Sequence, residues 1–387
     1  MVCIAKFYKY KILTLSILIL LSATANLYGE STMEPLYTFN TALMPKLEPT
    51  IYSTGETEIQ GLFDFPADNA IATNELPGTN AVTRIDFDEE KAKVKFKTVA
   101  KDFKTYVGGG DTSYLPIFSE DTIGYAQTRG FTLLDINTGK ANYYSIIVGF
   151  EYYIVGVRVV NAEKRIFLFG IAMLKSEKPR ILLRIMDLSD EKGRLISEKE
   201  VHSQTLVYSL NGTLFLLKGN DIQAVDNNFN EIDHPFVKLF NQEKDRFEDV
   251  VNLIIHPELP FAVFNDREKQ EVWMASWQDD EPVMKKLLSN CESSHFRFSY
   301  DGNWITFQNF LPKPGYFILM PVVPELPHFV GKPILMGEIP EFPSGRGTEA
   351  MTRNPPGLVR TGTDDLGDSC YLKKWDFTKA EKFIEQE

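Results

Sequence analysis

Thiols and imidazoles are scarce in this chain, with three cysteines and five histidines in 387 residues. His202, His234, His256, His295 and His328 are scattered, and no H-E-x-x-H or Cys-x-x-Cys gathers ligands locally, so neither a metal centre nor a cofactor is expected. A Gly-x-Ser-x-Gly elbow is absent, and with it a local sign of a hydrolase nucleophile. The richest glycine run, VGGGD at 107–111, has no lysine in register and opens no helix, which leaves a flexible link rather than a phosphate cradle. Two acidic stretches, 226–230 and 363–368, resemble calcium loops in composition. In the first, Glu231 stands where glycine is needed and Val237 where a ligand is needed, and both stretches read as polar turns.

Basic excess is also missing. Asp and Glu number 53 against 41 Lys and Arg, a net charge of −12, which argues against nucleic acid or an anionic membrane surface as a partner. Long apolar runs are limited to residues 12–21, too short for the roughly 20 residues that cross a bilayer. With Lys6, Lys9 and Lys11 before that run and Ala23 and Ala25 after it, residues 1–25 read as a signal peptide. The rival is an uncleaved anchor, which would be the one link to a membrane. Cleavage removes three lysines and no acid, and the charge falls to −15. Cys3 leaves as well, so that Cys291 and Cys370 either pair as a disulfide in an oxidising compartment or stay as two separate buried thiols.

What the chain has is 43% hydrophobic and 12% aromatic content arranged at period two. The stretch 293–310, SSHFRFSYDGNWITFQNF, alternates, turns at Asp301-Gly302, and alternates again, which is a hairpin pattern. Similar strand–turn–strand units recur along the chain. Their first turns, near Asp68, Asp121, Ala162, Gly212, Glu258, Gly302 and Asp365, are mostly spaced like the roughly 40–50 residues of a propeller blade. No such unit buries both of its faces alone, whereas a closed ring does. The expected fold is therefore all-β, a β-propeller of seven four-stranded blades over 51–387, with six or eight blades as alternatives and an extended arm over 26–50. Helical periodicity is confined to 378–385.

Phe298-Ser-Tyr-Asp-Gly-Asn-Trp-Ile-Thr-Phe307 resembles the F-S-x-D-G-x-x-I-x-F hairpin of TolB-type, WD-repeat-like propellers. Asn211-Gly212 resembles it loosely; Pro257-Glu258 and Glu120-Asp121 depart from it. The resemblance implies a rigid non-catalytic platform that binds proteins or ligands, although some relatives are the propeller domains of hydrolases or lyases. A protein partner or small ligand at the channel face of a monomer is the leading expectation. The alternative is an enzyme acting on polysaccharide, peptide or lactone substrates at the channel mouth. One candidate contact region is 338–356, read as a long link between the sixth and seventh blades. Its Arg346 and Arg353 would offer planar forks to carboxylate or phosphate groups. The aromatics Tyr143, Tyr144, Tyr152, Tyr153, Trp273, Trp277 and Trp375 are expected to pack between blades rather than grip a ligand.

Overall fold

A computed structural model describes residues 33–384, apart from 56–60, 64–69, 77–78, 101–116, 120–121, 128–129, 136, 146–150, 162–164, 174–179, 189–192, 203–205, 211–212, 227, 279–281, 340–348 and 364–369. The leader, the glycine run at 107–111, Arg346 and most of the acidic turn at 363–368 lie outside the described residues.

Strand β1 (Thr50–Ser53) comes first in the chain but pairs last. It is followed by β2 (Gly61–Phe63), β3 (Ala70–Leu76), β4 (Thr79–Asp88) and β5 (Lys93–Ala100). Next come β6 (Ile117–Ser119), β7 (Thr122–Gln127), β8 (Gly130–Asp135) and β9 (Ala141–Ser145), then β10 (Glu151–Asn161), β11 (Arg165–Met173), β12 (Arg180–Asp187) and β13 (Arg194–Val201). A three-stranded sheet of β14 (Leu206–Leu210), β15 (Thr213–Lys218) and β16 (Asp221–Val225) precedes helix α1 (Pro235–Glu243). Two further four-stranded meanders are β17 (Val250–Ile255), β18 (Phe261–Asp266), β19 (Glu271–Ser276) and β20 (Val283–Ser289), and β21 (Ser293–Phe298), β22 (Trp304–Asn309), β23 (Tyr316–Pro321) and β24 (Ile334–Glu338). The last strands are β25 (Glu349–Arg353), β26 (Pro356–Thr363) and β27 (Cys370–Asp376).

Each meander is antiparallel, as short turns between successive strands require. First strands touch first strands: β10 meets β14, β14 meets β17, β17 meets β21, and β25 meets β2. The architecture is a β-propeller, in which those first strands surround the axis. Its closure uses β1, which pairs antiparallel with β27 from Thr50↔Lys374 to Ser53↔Tyr371. A single parallel position, Ser53↔Lys93, also joins β1 to β5, merging the first and last strands into one eight-stranded sheet. Divided there, the described strands form seven antiparallel groups, one of three strands and six of four.

Apolar clusters fill the seams between consecutive sheets. Phe261, Val263 and Met274 meet Phe296, Ile305 and Phe307 across one seam, and Trp304, Phe317 and Leu319 meet Met351, Leu358 and Trp375 across the next. Burying both faces of a sheet in this way is the gain that no isolated meander has. The expected hairpin at 293–310 forms as β21 and β22, with Phe307 and Trp304 at 2% and 3% exposure. Gly302 takes φ +74°, and the Asp301 carboxylate accepts the Asn303 N–H (3.2 Å) and the Asn303 amide (3.0 Å) to hold the turn.

Three features depart from the sequence expectation. The fourth unit does not continue as a strand from Glu231; after the bridge Val225↔Glu231 the chain becomes α1. His234 caps that helix by accepting the Phe236 N–H on Nδ1 (3.2 Å), Pro235 opens it, and Phe236, Leu239 and Phe240 bury one face against β15, β16, β18 and β19. Residues 338–356 are not one link, because Glu349–Arg353 is β25, the first strand of the last group. The residues expected as an extended arm run, from residue 33, as a strap along two sheet edges. Leu36 and Tyr37 donate to the carbonyls of Lys286 and Leu287 at the edge of β20 (both 3.0 Å), and Leu47 N and Pro45 O bond Leu335 of β24 (both 2.9 Å), before the chain enters β1. Residues 378–385 fall largely within a 3₁₀ turn, Phe377–Phe383, rather than an α-helix.

Candidate functional site

Among the described first strands, β17 and β21 carry the same irregularity. Between Val251 and Ile254 two residues oppose one on β18, and between Ser294 and Arg297 two oppose one on β22. Each bulge is formed by a polar residue in the left-handed region, Asn252 at φ +54° and His295 at φ +57°. Asn and His tolerate this region better than most residues, yet it still costs on the order of 1 kcal/mol relative to extended backbone. Bulges turn side chains away from the regular in-out alternation, and here they interrupt strands that face the axis.

The two bulges are used differently. Asn252 donates from Nδ2 to the Ser293 carbonyl (3.0 Å), stitching β17 to β21. His295 is exposed, with Nδ1 2.7 Å from the Ser294 hydroxyl. Two residues on, Arg297 reaches Glu349 of β25 at 3.8 Å, and Glu349 accepts from Gln308 Nε2 at 3.0 Å. Glu349 stands opposite Arg360 on β26, whose guanidinium lies 4.4 Å over the Phe317 ring. Burial pushes the Arg360 pKa down, while Glu349 and Tyr371 act in the other direction. Asn252, His295, Arg297 and Glu349 thus form a polar wall along the first strands of three consecutive groups, joined across its seams by Asn252 to the Ser293 carbonyl and by Arg297 to Glu349. Amide, imidazole and guanidinium groups together suit hydrogen bonding to a polar or acidic ligand.

Cys291 is free, fully buried, and its thiol is pushed up to about 12 by burial. It packs as a small apolar group and is no nucleophile at neutral pH. The backbone of Cys370 pairs with Thr363, and its side chain lies outside the described residues. Arg353 is exposed at the last position of β25, beside the turn at Asn354-Pro355, with the length of the strand between it and residue 349. Asp226 spends its carboxylate on the N–H groups of Asn228 and Asn230 (both 2.8 Å) and the Asn230 amide (3.0 Å), which makes it a turn cap. Among the described residues, no three His, Cys, Asp or Glu side chains converge as a metal site. Of the aromatics, Trp273, Trp375 and Tyr144 are buried, Trp277 packs against Phe236, Tyr143 is exposed, and the side chains of Tyr152 and Tyr153 lie outside the described residues. The bulged residues escaped the sequence analysis because a bulge leaves no residue-type signature.

No family model matches the chain, and no curated protein matches it in sequence. Solved structures do resemble it. An oligogalacturonate lyase in complex with manganese is 13% identical, with 86% of this chain and 97% of that one aligned at a TM-score of 0.53. The AfRom2 CNH domain is 9% identical over 84% and 97% at 0.49, and a periplasmic gluconolactonase of Pseudomonas aeruginosa is 12% identical over 80% and 96% at 0.44. At 13% identity the likeness to the lyase concerns the fold alone, and the other two, below 0.5, add nothing to it.

Proposed function

We propose that this chain is an exported, acidic, non-catalytic β-propeller that holds a protein or small polar ligand at the channel, without a cofactor and as a monomer. The observation that carries the reading is the pair of bulges at Asn252 and His295. Each puts a polar residue into the left-handed region on a first strand, and such strain concentrates where a side chain must be aimed. Arg297 and Glu349 extend the wall to the next group. Export rests on the basic, apolar and small-residue segments of residues 1–25. Arg353, exposed at the end of β25, is a further contact for an acidic partner, and Arg346 belongs to the same proposal through its sequence position.

The test is capture from cell-envelope extracts with the wild type, His295→Ala, and Tyr143→Ala as an exposed control on the outer strand β9. A partner retained at least about tenfold better by the wild type and by Tyr143→Ala than by His295→Ala supports the reading, since tenfold corresponds to about 1.4 kcal/mol. Equal capture by all three overturns it. Turnover of a polysaccharide, peptide or lactone by the wild type, lost in His295→Ala, replaces it with the enzyme reading.

A further inference from the structure

His256 follows β17 and is 5% exposed at the seam between the β17–β20 sheet and the β21–β24 sheet. Its Nδ1 accepts two backbone N–H groups from its own turn, Glu258 at 3.1 Å and Leu259 at 2.8 Å. An atom that accepts twice carries no proton, so the ring proton sits on Nε2 and is donated across the seam to the Gly302 carbonyl at 3.1 Å. The ring lies flat on Phe261 (5.0 Å, 27°) and edge-on to Phe298 of the neighbouring sheet (5.0 Å, 79°). A Cβ on Gly302 would come within 2.8 Å of Nε2, so the turn and the imidazole are in direct contact.

The preceding seam has a related arrangement. His234 caps α1 through Nδ1 and sets its ring edge-on to Phe215 of β15 (5.0 Å, 89°) and to Trp277 (5.5 Å, 71°), just past β19. Both sides of the β17–β20 sheet are thus held by imidazoles in the neutral form. The carboxylates facing them are Glu258, on the turn of His256, Asp301, in the turn opposite and held by Asn303, and Asp233, beside His234 and paired with Lys238 (2.6 Å); Phe261, Phe298, Phe215 and Trp277 bring no charge. Burial outweighs these carboxylates and holds both imidazoles below the ordinary histidine range.

We propose that the seam at His256 is an acid-operated latch, with His234 as its counterpart across the same sheet, so that mild acid loosens the β17–β20 sector while the rest of the ring stays closed. Protonation puts a hydrogen on Nδ1 facing the N–H groups of Glu258 and Leu259, turning two hydrogen bonds into donor–donor repulsion. Its sign follows from linkage. The closed seam favours neutral imidazole, so closure is fully favoured above about pH 6.5 and is lost as pH falls from there through the lowered value in the folded protein. For one histidine protonated only when open, the opening equilibrium rises about tenfold between about pH 7.5 and 5.5.

Hydrogen exchange of the full chain, corrected for intrinsic rates, tests this at those two pH values. In the wild type, amides of 256–262 and 299–303 should lose about tenfold in protection while those within β22 and β23 stay constant; uniform loss, or none, overturns the proposal. His256→Gln, which stays neutral, should abolish the pH dependence at 299–303, and its persistence in a folded variant overturns the latch. Should that variant not fold, the His256 ring resonance of the wild type decides: a midpoint well below 6.5 supports the latch, and one at or above it overturns it.

Discussion

At the scale of single residues, the Asp301-Gly302 turn shows how much one backbone position determines. Gly302 is left-handed and abuts His256, so Gly302→Ala adds both backbone strain and a collision with a buried ring. A loss of about 2–3 kcal/mol in chemical denaturation is expected, at the upper end of ordinary point changes. The turn was legible in the sequence because Asp-Gly has a local conformational meaning. His256, which it touches across the seam, was not, since 46 residues separate the two and only the fold brings them together. A second residue-scale expectation concerns Glu89, which accepts the Tyr52 hydroxyl and Lys374 Nζ (2.9 Å). Burial opposes its ionisation, but these hydrogen bonds outweigh it and hold its carboxyl below the usual range. The stability Glu89 contributes is present above its unfolded pKa, about 4.3, and is lost as pH falls through the lower folded value. Tyr52→Phe should therefore cost about 1 kcal/mol near neutral pH, and the difference from wild type should shrink as unfolding is followed down to about pH 3.

Whole elements were less evenly legible. Hairpins with strong alternation, such as β21–β22 and β18–β19, follow from period two and a turn residue. Helix α1 was missed although Pro235 and the apolar spacing of Phe236, Leu239 and Phe240 mark it, because nine residues give few periods and the preceding Asp226–Asn230 turn suggested one more strand. It occupies the seam beside β17–β20, where Phe240 stacks on Phe247 (5.4 Å) and meets Phe264 edge-on (5.5 Å). Phe240→Ala should destabilise by about 3–5 kcal/mol, measured by urea unfolding, because no neighbour in a rigid seam can fill the void. Strand β25 was hidden for another reason: five residues between a Pro- and Gly-rich link and the turn at Asn354-Pro355 look like loop on either side. Arg353 was singled out in the sequence and stands at the exposed end of β25, whereas the bulges at Asn252 and His295 depend on register breaks that only strand pairing defines.

At the scale of the molecule, the ring holds together by seams plus one closing strand. The strap 33–48 covers the open edges of β20 and β24, and β1 then completes the last group by pairing with β27. Unpaired edges invite association with other chains, so covering them has a cost when removed. A protein lacking residues 1–53 should unfold at least about 3 kcal/mol more easily and form soluble aggregates visible by light scattering; a monomeric, wild-type-stable truncation would show that neither the strap nor β1 is needed to hold the ring. The propeller itself was legible because a repeat survives the blurring of any single unit, while the strap was not, since its backbone bonds to 286–287 and 335 leave no pattern in Met33–Glu48.

That closure also sets a timetable. β1 leaves the ribosome some 320 residues before β27, so the two halves of the last sheet meet only when synthesis is nearly done. Until then the nascent chain can stack meanders but cannot complete a circle, which makes the final strand to emerge the one that locks it.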